Sequence, residues 1–336
     1  MSKVRIEGRI DGDDWAKAKK AAMPRTFEPM LATLHDTPFS DERWIYERKL
    51  DGIRLLVFRD GEHVELYTRN GKLRNDHFPE LLDLFAAQPC QRFVLDGEVV
   101  AFDGDVTSFA RLQQRSGIAD PDQARASGIA IYFYVFDSPW IEGYDIRRVP
   151  LRQRKAILRG VLDYTGRLRF TAHRNGDGET MLAEACRKGW EGIIAKQADS
   201  CYRGSRSRRW LKLKCQAGQE LVIGGFTEPR GERIGLGALL MGYYEGDALR
   251  YAGRVGTGFS DAELRRLHRE LSKIERRQPA FVDPPNEPGL HWVMPEHVAE
   301  IEFTEWTTDG KLRHPAYLGE RDDKDPQDVV REVRSA

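Results

Sequence analysis

The segment that follows Trp44 constrains the fold most, because its residue types alternate with the period of a β-strand. Residues 53–58 and 64–68 are strand-like and flank Asp60-Gly61, a pair typical of a two-residue hairpin loop. Apolar and polar side chains alternate along residues 64–68, which predicts one buried and one exposed face. This part of the chain is therefore expected to form antiparallel sheet.

Helical and strand-like patterns are mixed in the stretch that follows. Helices are expected near residues 13–22, 78–87, 151–162 and 178–188, and strands near 93–102, 131–136 and 192–196. The mixture predicts an α+β fold, in which antiparallel sheets carry the polar motifs on strands and at strand ends.

A second domain is expected, because 336 residues exceed what one hydrophobic core usually supports. A polar, glycine-containing stretch at 215–219 predicts the boundary. Strand-like segments follow near 220–226, 238–244, 249–255 and 298–306, with a helix from the capping box Ser260-Asp261-Ala262-Glu263 to about 277. About five short strands with one helix predict an OB-fold β-barrel. The chain is thus divided into a charged lead-in (1–27), an α+β domain (28–217) and an OB-fold domain (218–336).

Composition excludes a global positive field, because 53 basic and 53 acidic residues cancel. Nucleic-acid binding would therefore need a local basic patch. Cys90, Cys186, Cys201 and Cys215 form no Cys-x-x-Cys pair, which predicts reduced cysteines, no zinc site and a cytosolic protein. Residues 1–20 lack an apolar core, so neither a signal peptide nor a membrane span is expected.

The most informative polar segment is Glu47-Arg48-Lys49-Leu50-Asp51-Gly52-Ile53-Arg54. On a strand, Glu47, Lys49 and Asp51 would share one face, because side chains alternate with period two. A lysine is nucleophilic only when deprotonated, and its ordinary pKa is about 10.4, so a nucleophilic Lys49 requires a lowered pKa. Taken alone, Lys-x-Asp-Gly-x-Arg also fits a surface turn with solvated charges.

An ordered series of motifs accompanies this segment from about residue 29 to about residue 325. One short motif arises easily by chance, whereas the whole series in order does not. The series resembles the covalent nucleotidyltransferases, specifically the ATP-dependent DNA ligases, and most nearly the ligase module of bacterial end joining. Its members are Thr68-Arg69-Asn70-Gly71, Leu95-Asp96-Gly97-Glu98, Tyr134-Val135-Phe136-Asp137, Glu191-Gly192-Ile193-Ile194-Ala195-Lys196, Trp210-Leu211-Lys212-Leu213-Lys214, Leu312-Arg313-His314-Pro315 and Arg321-Asp322-Asp323-Lys324.

The resemblance implies a nucleotidyltransferase (adenylation) domain followed by an OB-fold domain, and covalent catalysis with ATP as cofactor. Lys49 would attack the α-phosphate of ATP and release pyrophosphate. The adenylate would then pass to the 5′-phosphate of a nicked duplex, from which the 3′-hydroxyl displaces AMP. Lys212 and Lys214, on one face of a strand, would neutralise the α-phosphate during transfer.

The resemblance also assigns carboxylates to a divalent ion, Mg²⁺ or Mn²⁺. Glu191 is the preferred metal ligand, and Asp51 holds either metal or the attacking 3′-hydroxyl. Glu98 binds either metal or the ribose hydroxyl, and the residues alone do not decide between them. Mg²⁺ commonly takes a few carboxylate oxygens together with phosphates and water, which suits such a set.

The remaining implied contacts bind the nucleotide and the nick. Glu47 would accept a hydrogen bond from the exocyclic amine of adenine, and Phe136 would stack on the base unless it is simply core. Arg54 would lie near the ribose, Arg69 near the 5′-phosphate of the nick, and Lys196 near the phosphates. Arg313, Arg321 and Lys324 of the OB-fold domain would orient pyrophosphate during the first step.

The expected partner is nicked double-stranded DNA, bound by a monomer. Residues 203–214 contain six basic and no acidic residues, which makes them the strongest local candidate for backbone contact. The glycine-rich stretch 230–237 is either a DNA-contacting loop or a plain hairpin connection.

The biological setting expected from the resemblance is DNA repair in the bacterial cytoplasm, at the nucleoid, with a Ku-type end-binding protein as a partner. An mRNA capping guanylyltransferase or RNA ligase is the alternative enzyme. An inactive nucleic-acid-binding scaffold is the alternative from another class.

Overall fold

A computed structural model describes residues 6, 8, 10, 12–215, 218–229, 231 and 233–332 of the chain. The chain divides into two compact units, the first ending at Cys215 and the second spanning Gln216–Val333. The division lies close to the predicted boundary at 217–218, and the boundary of the lead-in at residue 27 stays a prediction. Both units combine antiparallel sheets with helices, which confirms the α+β class.

Two sheets and several short helices make up the first unit. One sheet has the strand order β1-β9-β8-β6-β4-β5 with β7 and β10 attached, and the other has the order β11-β3-β12-β13-β2. The strands are β1 (Lys19–Lys20), β2 (Leu31–Leu34), β3 (Trp44–Lys49), β4 (Ile53–Asp60), β5 (His63–Thr68), β6 (Arg92–Asp103), β7 (Val106–Thr107), β8 (Ile131–Ile141), β9 (Tyr144–Asp145), β10 (Leu168–Phe170), β11 (His173–Asn175), β12 (Gly192–Gln197) and β13 (Arg206–Lys214). The helices are α1 (Gly12–Trp15), α2 (Pro79–Ala86), α3 (Phe109–Ser116), α4 (Pro121–Ala126), α5 (Leu151–Val161) and α6 (Gly178–Arg187).

Alternation along β4 places the main core of the larger sheet on one side. Leu55 and Val57 pack in this core with Phe133 of β8, Phe85 of α2 and Leu158 of α5, all of them buried. The alternate residues point to the opposite side, as expected for a period of two. Leu56 and Phe58 pack there in a smaller apolar cluster, and Arg54 lies at the start of the same row.

The hairpin of β4 and β5 is confirmed, but its loop lies one residue later than predicted. Asp60 pairs with His63, so Gly61-Glu62 forms the two-residue loop. Gly61 takes a φ of 65°, a conformation that glycine adopts without steric cost. Glycine therefore occupies the first position of the loop, and Asp60 extends the strand.

Local helix signals were read incorrectly at two places. The helix expected at 13–22 ends at Trp15, because Lys19 and Lys20 pair with β9 as strand β1. Helices α3 and α4 were not predicted, although Ser108 and Asp120 cap them by accepting hydrogen bonds from Arg111 N and Gln123 N. No helix in the described part of the chain is long and apolar enough to cross a membrane.

The second unit is built on an antiparallel sheet of order β16-β15-β14-β18-β17, with β21 paired to β18, and a small sheet of β19 and β20. Its strands are β14 (Gly218–Thr227), β15 (Leu239–Glu245), β16 (Ala248–Val255), β17 (Glu275–Arg276), β18 (Leu290–Glu302), β19 (Glu305–Trp306), β20 (Leu312–Arg313) and β21 (Ala316–Glu320). One α-helix, α7 (Asp261–Leu271), lies among them, and 3-10 turns occur at Ser272–Ile274 and Pro326–Asp328.

Helix α7 covers the core of the second unit. Leu264, Leu267 and Leu271 are buried against Ile223 and Leu239 of the sheet. The predicted cap is confirmed, since the Ser260 hydroxyl accepts a hydrogen bond from the backbone N–H of Glu263 at 3.2 Å. The helix stops at Leu271, before the expected end near 277, and β18 starts well before the expected residue 298.

The expectation that all cysteines are reduced is wrong for one pair. Cys186, at the end of α6, and Cys215, directly after β13, form a disulfide with a Cα–Cα distance of 5.2 Å. They are 29 residues apart in sequence, and α6 and β13 both pack on β12. Sequence spacing gave no sign of this contact. Cys90 and Cys201 are free thiols.

A buried ion pair connects α5 to the end of the aromatic motif on β8. Arg154 donates to both carboxylate oxygens of Asp137 at 2.7 Å, and neither side chain is exposed. The same guanidinium donates to the carbonyl oxygens of Val149 and Ser200 at 2.6 and 2.9 Å. Arg154 therefore fixes three segments of the first unit around one guanidinium group.

Replacing Arg154 by methionine should destabilise the first unit by about 3–5 kcal/mol, because a buried carboxylate is left without its cation. Urea unfolding followed by tryptophan fluorescence measures the shift of the transition. Arg174→Met is the matched control, since its ion pair with Glu184 lies at the surface and should leave the transition nearly unchanged. Equal shifts for the two variants would contradict this role of Arg154.

Candidate active site

Three adjacent strands of the smaller sheet bring the polar motifs onto one face. The antiparallel pairings of β12 with β3 and β13 align one residue from each strand in successive rows. Because cross-strand partners point to the same side, each row presents its side chains together. The rows on this face are Lys49–Gly192–Lys214, Glu47–Ile194–Lys212 and Ile45–Lys196–Trp210.

The opposite face of these strands is apolar and holds the register in place. Tyr46, Ala195 and Leu211 are buried there, with Met181 and Ala185 of α6 packed against them. A slip of one residue would exchange the two faces and expose this cluster. The packing on α6 therefore determines which residues face the site.

Gly192 lets the two outer lysines of the first row face each other. Its φ is 149°, and a β-carbon there would meet the Leu213 carbonyl oxygen at 2.1 Å. Residue 192 itself therefore places no side chain between Lys49 and Lys214 in this row. The glycine of the Glu191-Gly192 motif is thus required by the close approach of β13.

Glu191 lies between these lysines. Its Oε2 is 2.5 Å from Nζ of Lys49, and its Oε1 is 3.9 Å from Nζ of Lys214. Burial lowers the pKa of Lys49, but the Glu191 carboxylate outweighs it, so the pKa is raised above the ordinary value. Burial raises the pKa of Glu191, but Lys49 and Lys214 lower it more strongly, and the net shift is downward.

The expected low pKa of Lys49 is therefore not found. Opposite charges in contact favour both ionised forms, and this pair is only partly exposed. The side chain that faces Lys49 in this structure is an anion. Lys49 is held as an ammonium group, and its nucleophilic form requires that Glu191 release it.

Asp51 lies beyond the end of β3 rather than on the strand. Its backbone N–H donates to Oγ1 of Thr107 at 3.3 Å, and its Oδ2 accepts from the N–H of Phe109 at 3.3 Å. The carboxylate thus contacts the first residue of α3. The expected alternation of Glu47, Lys49 and Asp51 along one strand holds only for the first two.

Glu47 is a buried carboxylate on the site face of β3. It is 2% exposed, and it accepts from Nζ of Lys155 and, at 2.6 Å, from Nζ of Lys196. Lys155 also donates to the carbonyl oxygen of Thr171 at 2.9 Å. Burial raises the pKa of Glu47, but the two ammonium groups lower it more strongly, so Glu47 is an anion. Lys196, which was expected near phosphate, forms an ion pair with Glu47 instead.

Arg54 on the larger sheet is fixed by a second buried carboxylate. It donates to both oxygens of Asp96, at 2.7 and 2.5 Å, and Tyr202 donates to the same carboxylate at 2.5 Å. Arg54 also lies beside Glu98 in the register of β4 and β6. The forked pair leaves Arg54 partly exposed with a defined orientation.

Aromatic rings fill the space between these two groups. Phe136 and Trp210 meet edge to face at 6.0 Å. Nζ of Lys196 lies 4.2 and 4.0 Å from their ring centres, and the Arg54 guanidinium lies 5.2 and 5.8 Å away. Nε1 of Trp210 is buried and has no hydrogen-bond partner among the described residues. Phe136 is therefore near the site, in contact with its cations.

Other predicted residues lie elsewhere in the chain. Arg69 is in the turn that follows β5, and its role at the nick stays a prediction. Arg313 pairs with Glu305 at 2.6 Å in the second unit. Arg321 donates to both oxygens of Asp323 at 2.8 and 3.0 Å, and Lys324 is 2.8 Å from Glu220. Contact of these three with ATP stays a prediction.

The basic segment 203–214 is divided by its strand. Arg203, Arg206, Arg208 and Arg209 are exposed, whereas Lys212 and Lys214 are partly buried on the site face. Four arginines are thus available to solvent at the start of β13. They remain the predicted contact with the DNA backbone.

The metal ligands expected from the sequence do not converge as a preformed cluster. In the described ranges no three His, Cys, Asp or Glu side chains come together in a metal-binding group. Mg²⁺ fits such a site when phosphates and water complete its shell, since it uses only one or two protein carboxylates. Glu191, partly exposed beside Lys49, has the right chemistry for one of them.

Sequence reasoning missed two residues that hold the site. Asp96 lies in a quoted motif, but its importance follows only from its contacts with Arg54 and Tyr202. Lys155 is on α5, one turn after Leu151 and on its buried face. A charged residue at a core position of an amphipathic helix was a readable signal for a buried partner.

Comparisons with known proteins identify the family of both units. Residues 29–214 match the family described as ATP dependent DNA ligase domain, and residues 232–324 match the ATP dependent DNA ligase C terminal region. A solved structure of mycobacterial DNA ligase D complexed with ATP and MES shares 34% identity and a TM-score of 0.64. The similarity covers 91% of this chain and 98% of that one, which confirms an adenylation domain followed by an OB-fold domain.

Longer end-joining proteins are similar over nearly all of this chain. The multifunctional non-homologous end joining protein LigD of Pseudomonas aeruginosa is 40% identical over 93% of this chain and 37% of its own length. The corresponding protein of Mycobacterium tuberculosis is 35% identical over 96% of this chain and 43% of its own length. The chain thus spans less than half the length of these curated relatives. It belongs to the ATP-dependent DNA ligase family.

Proposed function

We propose that this chain seals nicks with a 5′-phosphate and a 3′-hydroxyl by way of a covalent adenylate on Lys49. The observation that carries the proposal is the row of Lys49, Gly192 and Lys214, with Glu191 in contact with the amine. It places a nucleophile, its nearest proton acceptor and a second cation within one partly buried group. The row lies in a chain whose family members are ATP-dependent DNA ligases.

The first step requires a neutral Lys49 amine. Nζ attacks the α-phosphorus of ATP, a P–N bond forms, and the bond to pyrophosphate breaks. Glu191 Oε2, 2.5 Å from Nζ, is the nearest carboxylate acceptor for the proton that leaves. The Glu191 carboxylate also stabilises the ammonium form of Lys49. Another cation that binds Glu191 weakens this stabilisation and therefore favours the neutral amine of Lys49.

Lys214 and Lys212 supply the fixed positive charge next to the amine. They lie on the same face as Lys49 and Glu47, in two successive rows. Cations fixed in advance stabilise negative charge that develops on phosphate oxygens during transfer. A divalent ion held by Glu191 and phosphate oxygens would add further neutralisation of that charge.

Glu47 is proposed to accept a hydrogen bond from the exocyclic amine of adenine. Each carboxylate oxygen has more than one acceptor site, so the bonds from Lys155 and Lys196 leave capacity for another donor. A carboxylate only accepts hydrogen bonds, which favours the amine of adenine over the carbonyl of guanine. The pair of Arg54 and Phe136 is proposed to hold the ribose and the base.

The DNA-bound steps and the cellular role are proposed from the relatives. Two of them are named multifunctional non-homologous end joining proteins, which supports a role in double-strand break repair. Nicked duplex DNA as substrate, a Ku-type partner, and action at the bacterial nucleoid are part of this proposal. The exposed arginines at 203–209 are proposed to contact the DNA backbone.

Lys49→Ala should abolish sealing of a 5′-phosphorylated nick with ATP, because no adenylate is formed on the protein. The variant should still seal a nick whose 5′-phosphate already carries AMP, since that substrate bypasses Lys49. Denaturing gel electrophoresis of labelled DNA measures both reactions. Lys188→Ala, an exposed lysine near α6, is the matched control and should seal both substrates. Sealing with ATP by the Lys49 variant would contradict the assignment of Lys49 as the nucleophile.

Lys155→Met should reduce the preference for ATP over purine riboside triphosphate, which lacks the exocyclic amine. Loss of a hydrogen bond to a charged group corresponds to roughly tenfold or more in relative kcat/KM. The decrease in kcat/KM should be confined to ATP, because only ATP has the amine that donates to the Glu47 carboxylate, which Lys155 orients. Lys188→Met is the control. An equal loss for both nucleotides would mean that Lys155 only supports the fold.

A further inference from the structure

A cavity next to Glu47 opens between α5 and strands β10 and β11. Its volume is about 390 Å³, a size that suits a small ligand. Arg152, Lys155, Arg159 and His173 line it together with the ring of Phe170. Small side chains on the same helix, Ala156 and Gly160, leave room at its floor.

The charges of the cavity are unbalanced. Arg152 donates to the neutral Asn175 amide oxygen at 3.0 Å, and Arg159 lies 4.7 Å above the Phe170 ring. In the described part of the chain neither arginine has a carboxylate within ion-pair distance. Lys155 is the exception among the lining cations, because Glu47 behind it takes one of its hydrogen bonds.

His173, which lines the cavity, carries a ring nitrogen without a partner in the described ranges. Its Nδ1 is buried and has no hydrogen-bond partner among the described residues. Burial, and then the charge of Lys155, lower the pKa of His173 to about 4, so the ring is neutral at neutral pH. A buried polar atom without a partner costs free energy, which a ligand oxygen or hydroxyl would recover.

We infer that this cavity binds the phosphate group of an anionic ligand. Two arginines without carboxylate partners supply forked donors that match phosphate oxygens, and His173 adds one neutral hydrogen-bonding nitrogen. The cavity is larger than a phosphate ion, so it has room for a phosphate that is part of a larger molecule. A nucleic-acid backbone and a free phosphorylated compound share this chemistry.

Titration of the full chain with inorganic phosphate, followed by the imidazole NMR signals of His173, tests the inference. The wild type should show a saturable shift, which Arg152→Gln with Arg159→Gln should weaken roughly tenfold or more. Arg174→Gln on the same strand as His173 is the control, since its partner is Glu184, and it should bind like the wild type. Circular dichroism of the double variant verifies folding.

A single-stranded oligonucleotide with a 5′-hydroxyl distinguishes the two sources of phosphate. Displacement of phosphate from His173 would identify a nucleic-acid backbone as the occupant. Phosphate binding without displacement would identify a free phosphorylated compound. No saturable shift of His173, or the same shift in the double variant, would overturn the inference. These outcomes are independent of adenylylation at Lys49.

Discussion

The register of β3, β12 and β13 is the constraint on which the site depends. Apolar residues of these strands pack on α6, and the alternate residues carry Glu47, Lys49, Lys212 and Lys214. Any one-residue slip would move the nucleophile into the core and the core into solvent. Hydrophobic packing on one side of the sheet therefore fixes the relative positions of charged groups on the other side.

Buried or partly buried carboxylates orient the cations around the site. Glu47 holds Lys155 and Lys196, Asp96 holds Arg54, and Glu191 holds Lys49. Burying a charged group is costly unless an opposite charge lies close. Each of these carboxylates therefore stays paired with its cation and holds that cation in place. This arrangement gives Glu191 two competing roles. It stabilises the ammonium form of Lys49, and it is the carboxylate best placed to release that lysine for attack.

Short motifs made much of the site predictable, whereas pairings between residues distant in sequence could not be predicted. Lys49, Glu191 and Lys214 were predicted because each lies in a motif whose residues are local in sequence. Lys155 was missed because its partner Glu47 lies 108 residues away, and the disulfide of Cys186 was missed for a similar reason. The low pKa expected for Lys49 beside a divalent ion and basic groups stays a prediction. Glu191 by itself raises the pKa of Lys49, and that effect depends on a distance that no sequence pattern contains.

Incubation with α-labelled ATP and a divalent ion, followed by peptide mapping of the labelled protein, tests the role of Lys49 most directly. We predict AMP on Lys49, and loss of this label as AMP or DNA-adenylate when nicked duplex is added. Label on Lys212 or Lys214, or transfer from GTP in preference to ATP, would contradict it. Absence of label from either nucleotide would mean that the Lys49–Glu191 pair serves the fold and not the reaction.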